Sequence, residues 1–133
     1  MVASIRLLQG KIHRAVVTHA DVNYVGSIAI PLSLLDAAGI VPLQEVEVWN
    51  VTNGERFATY AVGGREGEGR VLGSAARRVS VGDLLIVASF VHVPLESPAV
   101  QQGEHRARLA FVDAHNRLTE TKVVSSRKEL WTL

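Results

Sequence analysis

A mainly β protein, closed as a barrel with short helices between strands, is the fold that the sequence predicts. Apolar residues recur with a step of two along most of the 133 residues, the runs are rich in β-branched side chains, and turn signals separate them at short intervals. "KIHRAVVTHADV" (11–22) reads as a long first strand and "SIAIPL" (27–32) as a short second one. "PLSLLDAAGI" (31–40) reads as a helix, with Pro31 before its first turn, Ser33 as N-cap and Gly39 as its stop. "EVEVWNVTNGERFATYAV" (45–62) is expected to form a hairpin whose turn centres on Asn53-Gly54. A second helix is expected at "GSAARRV" (73–79), its first-turn N–H groups free to meet an anion. "GDLLIVASFVHV" (82–93), apolar at nearly every position, reads as a strand buried on both faces. "PLESPAVQQGEHR" (94–106) reads as an exposed connection, and "RARLAFVDAHNRLTETKVV" (106–124) as a hairpin turning near Asp113 to Asn116.

Composition narrows the chemistry. The length fits one domain over residues 1–133, and 47% hydrophobic with 20% charged residues at a net charge of +1 describes a globular chain with no pull toward nucleic acid. The absence of cysteine excludes thiolate catalysis, disulfides and cysteine-bound zinc. In "MVASIRLLQGKIHR" the apolar patch is broken by Arg6 and is too short for a signal-peptide core or a membrane span, so a cytoplasmic location is expected. His13 and His19 stand six apart on one expected strand, too distant for a compact two-ligand site, and no metal is expected. Pyridoxal phosphate is not expected either, since it needs a lysine in a much larger scaffold and this chain has only Lys11, Lys122 and Lys128.

Two stretches suggest chemistry. In "NGERFATY", Arg56 can grip a carboxylate through two parallel hydrogen bonds and Tyr60 can donate a proton. Strand alternation sets Arg56 and Tyr60 on one face and Thr59 on the other, so a bulge or a strand end is needed to unite them. In "NYVGSIAI" a Gly26-Ser27 pair interrupts a strand-like segment.

"GKIHR" (10–14), "THADVNYVGS" (18–27), "LDAAGI" (35–40), "WNVTNGERFATY" (49–60) and "GD" (82–83), in this order and spacing, resemble the pyruvoyl-dependent aspartate 1-decarboxylase family. The resemblance covers residues 6 to 124. It implies a six-stranded double-psi β-barrel, assembled as a homotetramer with active sites at subunit interfaces, that decarboxylates L-aspartate to β-alanine for pantothenate and coenzyme A. It also implies self-cleavage between Gly26 and Ser27, leaving a covalently bound pyruvoyl group made from Ser27. By the same resemblance Thr59 orients the reacting carbonyl during cleavage, Tyr60 protonates the carbanion, and Arg56 and Lys11 bind the substrate. The loop Gly73, Ser74 and Ala75 matches the family's substrate-binding loop, and His13, Tyr24 and Trp49 match positions that line or support the site.

The chain departs from the family pattern at Leu72, where an asparagine is usual, and an alkyl side chain supplies no amide hydrogen bond. That departure keeps two alternatives in view: a decarboxylase with a different acidic amino acid as substrate, and an uncleaved, non-enzymatic barrel. An accessory maturation factor is a further open alternative.

Overall fold

Ile28, Ile30, Val46, Val48, Val71 and Val87 are each at most 1% exposed, and together they draw four strands around one apolar core. They are the β-branched residues whose alternation marks strands, and sealing each contributes about 1.5–3 kcal/mol. The computed structural model describes residues 2–131. Its strands are β1 (Ser4–Val16), β2 (His19–Asp21), β3 (Ser27–Pro31), β4 (Glu45–Asn50), β5 (Arg56–Gly64), β6 (Arg70–Leu72), β7 (Leu84–Pro94), β8 (Arg106–Val112) and β9 (Leu118–Ser125). They hydrogen-bond in the order β2-β6-β3-β5-β4-β7-β1-β8-β9. β1 with β8, β2 with β6 and β3 with β5 run parallel, and the other neighbours run antiparallel. This architecture is mainly β and of the barrel class, with nine strands among the described residues.

Several local expectations need correction. The strand expected over 11–22 begins earlier, at Ser4, and breaks after Val16 before resuming as β2. A register shift against β7 between His13 and Ala15 leaves Arg14 at φ 70°, a bulge that bends the strand away from its partner. Asn116 then takes up both backbone groups of Val16, accepting from its N–H at 2.7 Å and donating to its carbonyl at 2.9 Å. β6 was not anticipated, because three residues carry no periodicity. β7 is buried on consecutive positions only at Val87, Ala88 and Ser89, and its C-terminal half is partly open to solvent.

Helix α1 (Leu32–Ala38) ends as expected at Gly39, with φ 71°, but its N-cap is Pro31 and not Ser33. Ser33 lies inside the first turn and donates its hydroxyl to Glu66 at 2.6 Å. The buried face Leu34, Leu35 and Ala38 closes one side of the core. The expected second helix is a tighter 3-10 helix, Gly73–Arg78, and the exposed connection after β7 contains one helical turn, α2 (Pro98–Gln101). The β4–β5 connection spans Val51–Glu55 and is organised by Asn50, whose Oδ1 accepts from Thr52 N at 2.9 Å and Asn53 N at 3.3 Å. Asn53-Gly54 is therefore part of a wider turn, with Gly54 at φ 79°.

The β8–β9 hairpin turns where expected. Asp113 Oδ1 accepts the N–H groups of His115 and Arg117, at 2.8 and 3.0 Å, and these bonds hold its carboxyl below the ordinary carboxylate value. Asn116, 1% exposed, also reaches the Gly67 carbonyl at 3.3 Å. It thereby ties the hairpin both to the end of β1 and to the loop before β6. Asn116→Ala strands the Val16 groups in a closed site and is expected to cost about 2–4 kcal/mol, measured as a lowered urea midpoint with an unchanged m-value.

Candidate active site

Exposure falls from 82% at Val25 to 5% at Ser27, so the chain passes from a surface loop into the barrel wall across the Gly26–Ser27 peptide. Ser27 pairs with Leu72 at the end of β6, and on the other side Ile28 is in register with Ala61 of β5. Before Ser27 no strand lies between β5 and the segment that follows β6. The space beside β5 ahead of Ala61 is a cleft of ≈ 720 Å³ that Val25 and Gly26 of the loop also border.

Because β5 lacks its β3 neighbour ahead of Ala61, residues of both its faces border this opening. Thr59 and Tyr60 point to opposite faces yet line the same cleft, together with Gly26, Ser74 and Ala75. Pairing of β4 with β5 is regular from Glu45–Tyr60 to Trp49–Arg56. The strand end required by the alternation is accordingly the start of β3, and no bulge in β5 is needed.

Gly73 forms the back of the opposite wall. Its φ is 72°, and a Cβ there would lie 2.5 Å from Gly26 Cα and 3.0 Å from the Tyr24 carbonyl oxygen, so conformation and neighbours both demand glycine. A Cβ on Gly26 would meet only the Leu72 carbonyl oxygen, at 3.7 Å, so packing in this state does not require glycine there. Directly across the antiparallel pair from Ser27, Leu72 is 8% exposed and presents only alkyl groups toward the serine's side of the sheet.

The far end of the 3-10 helix is tied to the β4–β5 turn. The Arg78 carbonyl accepts from Asn50 Nδ2 at 3.2 Å and Asn53 Nδ2 at 3.0 Å, and Asn50 Nδ2 also donates to Asp83 at 2.8 Å. The Arg78 guanidinium pairs with Glu55 at 2.5 Å. This clamp holds the cleft's two walls in fixed relation, and the sequence reading missed it. Its signal was an asparagine at the start of the turn, a second at its centre and an aspartate just ahead of β7.

The remaining expected residues lie elsewhere. Arg56, Trp49, Ile86, His13 and Phe111 form one cross-strand row over β5, β4, β7, β1 and β8, with Lys11 on the same face two residues from His13. The Arg56 guanidinium sits 4.7 Å above the Trp49 ring, and His13 meets Phe111 edge-on at 5.6 Å. Trp49 Nε1 is buried without a hydrogen-bond partner among the described residues. Tyr24 lies on the loop before Gly26, 57% exposed. The structure therefore joins Gly26, Ser27, Thr59, Tyr60, Leu72, Gly73, Ser74 and Ala75, and leaves Lys11, His13, Trp49 and Arg56 on the outer sheet face. Arg77 and Arg78, which also line the cleft, were not singled out.

Fold and site define a mainly β protein with a glycyl–seryl peptide at the head of a buried strand and a threonine and a tyrosine lining the cleft beside it. Residues 3–119 match the aspartate decarboxylase family, and the chain belongs to it. The aspartate 1-decarboxylase of Chromobacterium violaceum is 52% identical over 118 residues, 87% of this chain and 90% of that protein. That of Xylella fastidiosa is 50% identical over 117 residues, and that of Laribacter hongkongensis 48% over 116, with 86% of this chain aligned in each case and 90% and 88% of the relative.

Burial, then the charges of Lys11 and Arg14, lower the His13 pKa from its ordinary 6.5. The unfolded chain thus binds this proton more readily than the folded one. Stability is reduced as pH falls through 6.5, and the loss is complete below the folded-state pKa. NMR titration is expected to show a His13 midpoint below 6.5, rising in Lys11→Met, while His13→Gln flattens the stability profile over the same window.

Proposed function

We propose that this protein is a self-processing aspartate 1-decarboxylase, converting L-aspartate to β-alanine and CO2 in the cytoplasm and supplying pantothenate and coenzyme A synthesis. Membership of the aspartate decarboxylase family and relatives about half identical over most of the chain support the activity. The observation that carries the self-processing reading is the Gly26–Ser27 peptide, at the junction of an exposed loop and a buried strand and beside Thr59 and Tyr60. Among the described residues no helix is long and apolar enough to cross a membrane.

Ser27 Oγ attacks the Gly26 carbonyl carbon, the amide C–N bond breaks, and an ester replaces it. Loss of the Ser27 α-hydrogen expels the Gly26 carboxylate from Cβ, and hydrolysis of the resulting dehydroalanine releases ammonia. Thr59 orients the Gly26 carbonyl. Ser27 fits this chemistry, having a hydroxyl on Cβ, an α-hydrogen and an open cleft beside its peptide bond. The pyruvoyl group supplies an electron-withdrawing ketone to which an α-amine can attach. Tyr60 delivers a proton to the substrate carbon after CO2 departs, and the Gly73–Ala75 backbone with Ser74 lines the substrate's side of the cleft.

The chain forms one domain, and its parallel pairings among antiparallel neighbours support a six-stranded double-psi β-barrel within the larger sheet. Lys11, His13, Trp49 and Arg56 lie on the outer face, away from Gly26 of their own chain, which supports a homotetramer in which one copy's face completes another's cleft. Leu72, alkyl beside Ser27, favours testing a second acidic amino acid alongside aspartate.

Denaturing mass spectrometry is expected to find Met1–Gly26 and a second chain starting at a carbonyl-bearing residue 27, with Ser27→Ala remaining intact and inactive. Cleavage of Ser27→Ala removes the self-processing assignment, and an intact wild-type chain after prolonged incubation shows that spontaneous maturation fails and makes Leu72 or a missing activator the explanation to test. Tyr60→Phe is expected to be cleaved normally while kcat on aspartate falls by about 10²–10⁴. Undiminished turnover there removes Tyr60 as proton donor, and a preference for glutamate reassigns the substrate.

A further inference from the structure

We infer that Arg77 is a specificity-determining residue of this cleft, holding a carboxylate of a small dicarboxylate substrate; this deepens the decarboxylase reading and rests on it. Among the described residues two cations line the cleft, Arg77 and Arg78, and no Asp or Glu does. Among the described residues the Arg–carboxylate pairs are Arg6–Glu47 and Arg78–Glu55, so Arg78 is paired with a carboxylate while Arg77 has no acidic partner. In a 3-10 helix, side chains three apart lie above one another, which stacks Arg77 on Ser74, a cleft-lining residue of the same wall. The Gly73 contact at one end of that helix and the Asn50–Arg78 bond at the other fix the backbone that carries Arg77. Arg56, the other arginine of interest, is engaged with the Trp49 ring and does not line this cleft in its own chain. The uncompensated charge facing Gly26, Thr59 and Tyr60 from within the chain is therefore that of Arg77. A guanidinium there attracts dicarboxylates and can grip one carboxylate with paired hydrogen bonds, leaving the rest of the molecule free to reach the reacting centre.

The test compares the matured wild-type protein with Arg77→Gln and Arg77→Lys, using succinate as an unreactive dicarboxylate probe and L-aspartate as substrate. Loss of one exposed charge–charge contact is expected to weaken succinate binding by about 5- to 10-fold, to raise KM for aspartate by a similar factor, and to reduce the salt dependence of both. The change falls on KM rather than kcat, and Arg77→Lys recovers the salt dependence with part of the affinity. Matching thermal midpoints confirm that the exposed substitution leaves the fold intact. If aspartate is decarboxylated and Arg77→Gln binds succinate as the wild type does, the Arg77 assignment fails alone. If succinate binds in an Arg77-dependent way but no amino acid is decarboxylated, the enzymatic reading fails and takes with it Arg77's role in substrate specificity, leaving only a dicarboxylate contact. A wild-type protein that neither binds succinate nor turns over aspartate overturns both.

Discussion

The contact between Gly73 and Gly26 governs the candidate site. With a Cβ at residue 73 excluded by Gly26 Cα at 2.5 Å, the chain leaving β6 can lie directly against the loop that enters β3. The positive φ at Gly73 then turns the backbone out of the sheet and into the 3-10 helix. Had β6 simply continued, the space beside Gly26 would hold another strand residue, and the wall carrying Ser74, Ala75 and Arg77 would not exist.

From that contact the other features follow in sequence. The 3-10 helix needs an anchor at its far end, and Asn50 supplies it by joining the Arg78 carbonyl to the buried Asp83 carboxylate. Asn50 also organises the turn into β5, so one side chain couples the wall at 73–78 to the strand bearing Thr59 and Tyr60. The cleft is in this sense bounded by two elements whose relative position is set by hydrogen bonds. Its electrostatics follow from the same arrangement: the clamp spends the Arg78 charge on Glu55 and leaves Arg77 facing the opening.

The outer face obeys different physics. Arg56 over Trp49, Arg6 over Phe90 at 4.0 Å and Lys122 near Phe111 at 5.6 Å form a surface of cations stacked on half-buried aromatic rings. Such a surface is preorganised, because each long cationic side chain already rests on a ring. His13, between Lys11 and Arg14, is biased toward its neutral form there, which limits the face's accumulated charge.

Much of the fold was legible because strands that alternate apolar and polar residues declare their buried side, as "EVEVWN" does in β4, and because Gly39 announces the end of α1. The sequence by itself determined the mainly β class, the two hairpins and the Gly-Ser and Arg-x-x-Thr-Tyr stretches, since period-two patterning, turn residues and reactive side chains are local properties. It could not show β6, whose three residues become a strand only when β2 and β3 flank them, nor the break after Val16, which depends on Asn116 one hundred residues away. Nor could it divide the candidate site, because alternation describes a strand with two neighbours and β5 has lost one just where Thr59 and Tyr60 lie. Only the tertiary structure decided that these two residues share a cleft with Gly26 while Lys11 and Arg56 do not, because that grouping is set by where β3 begins.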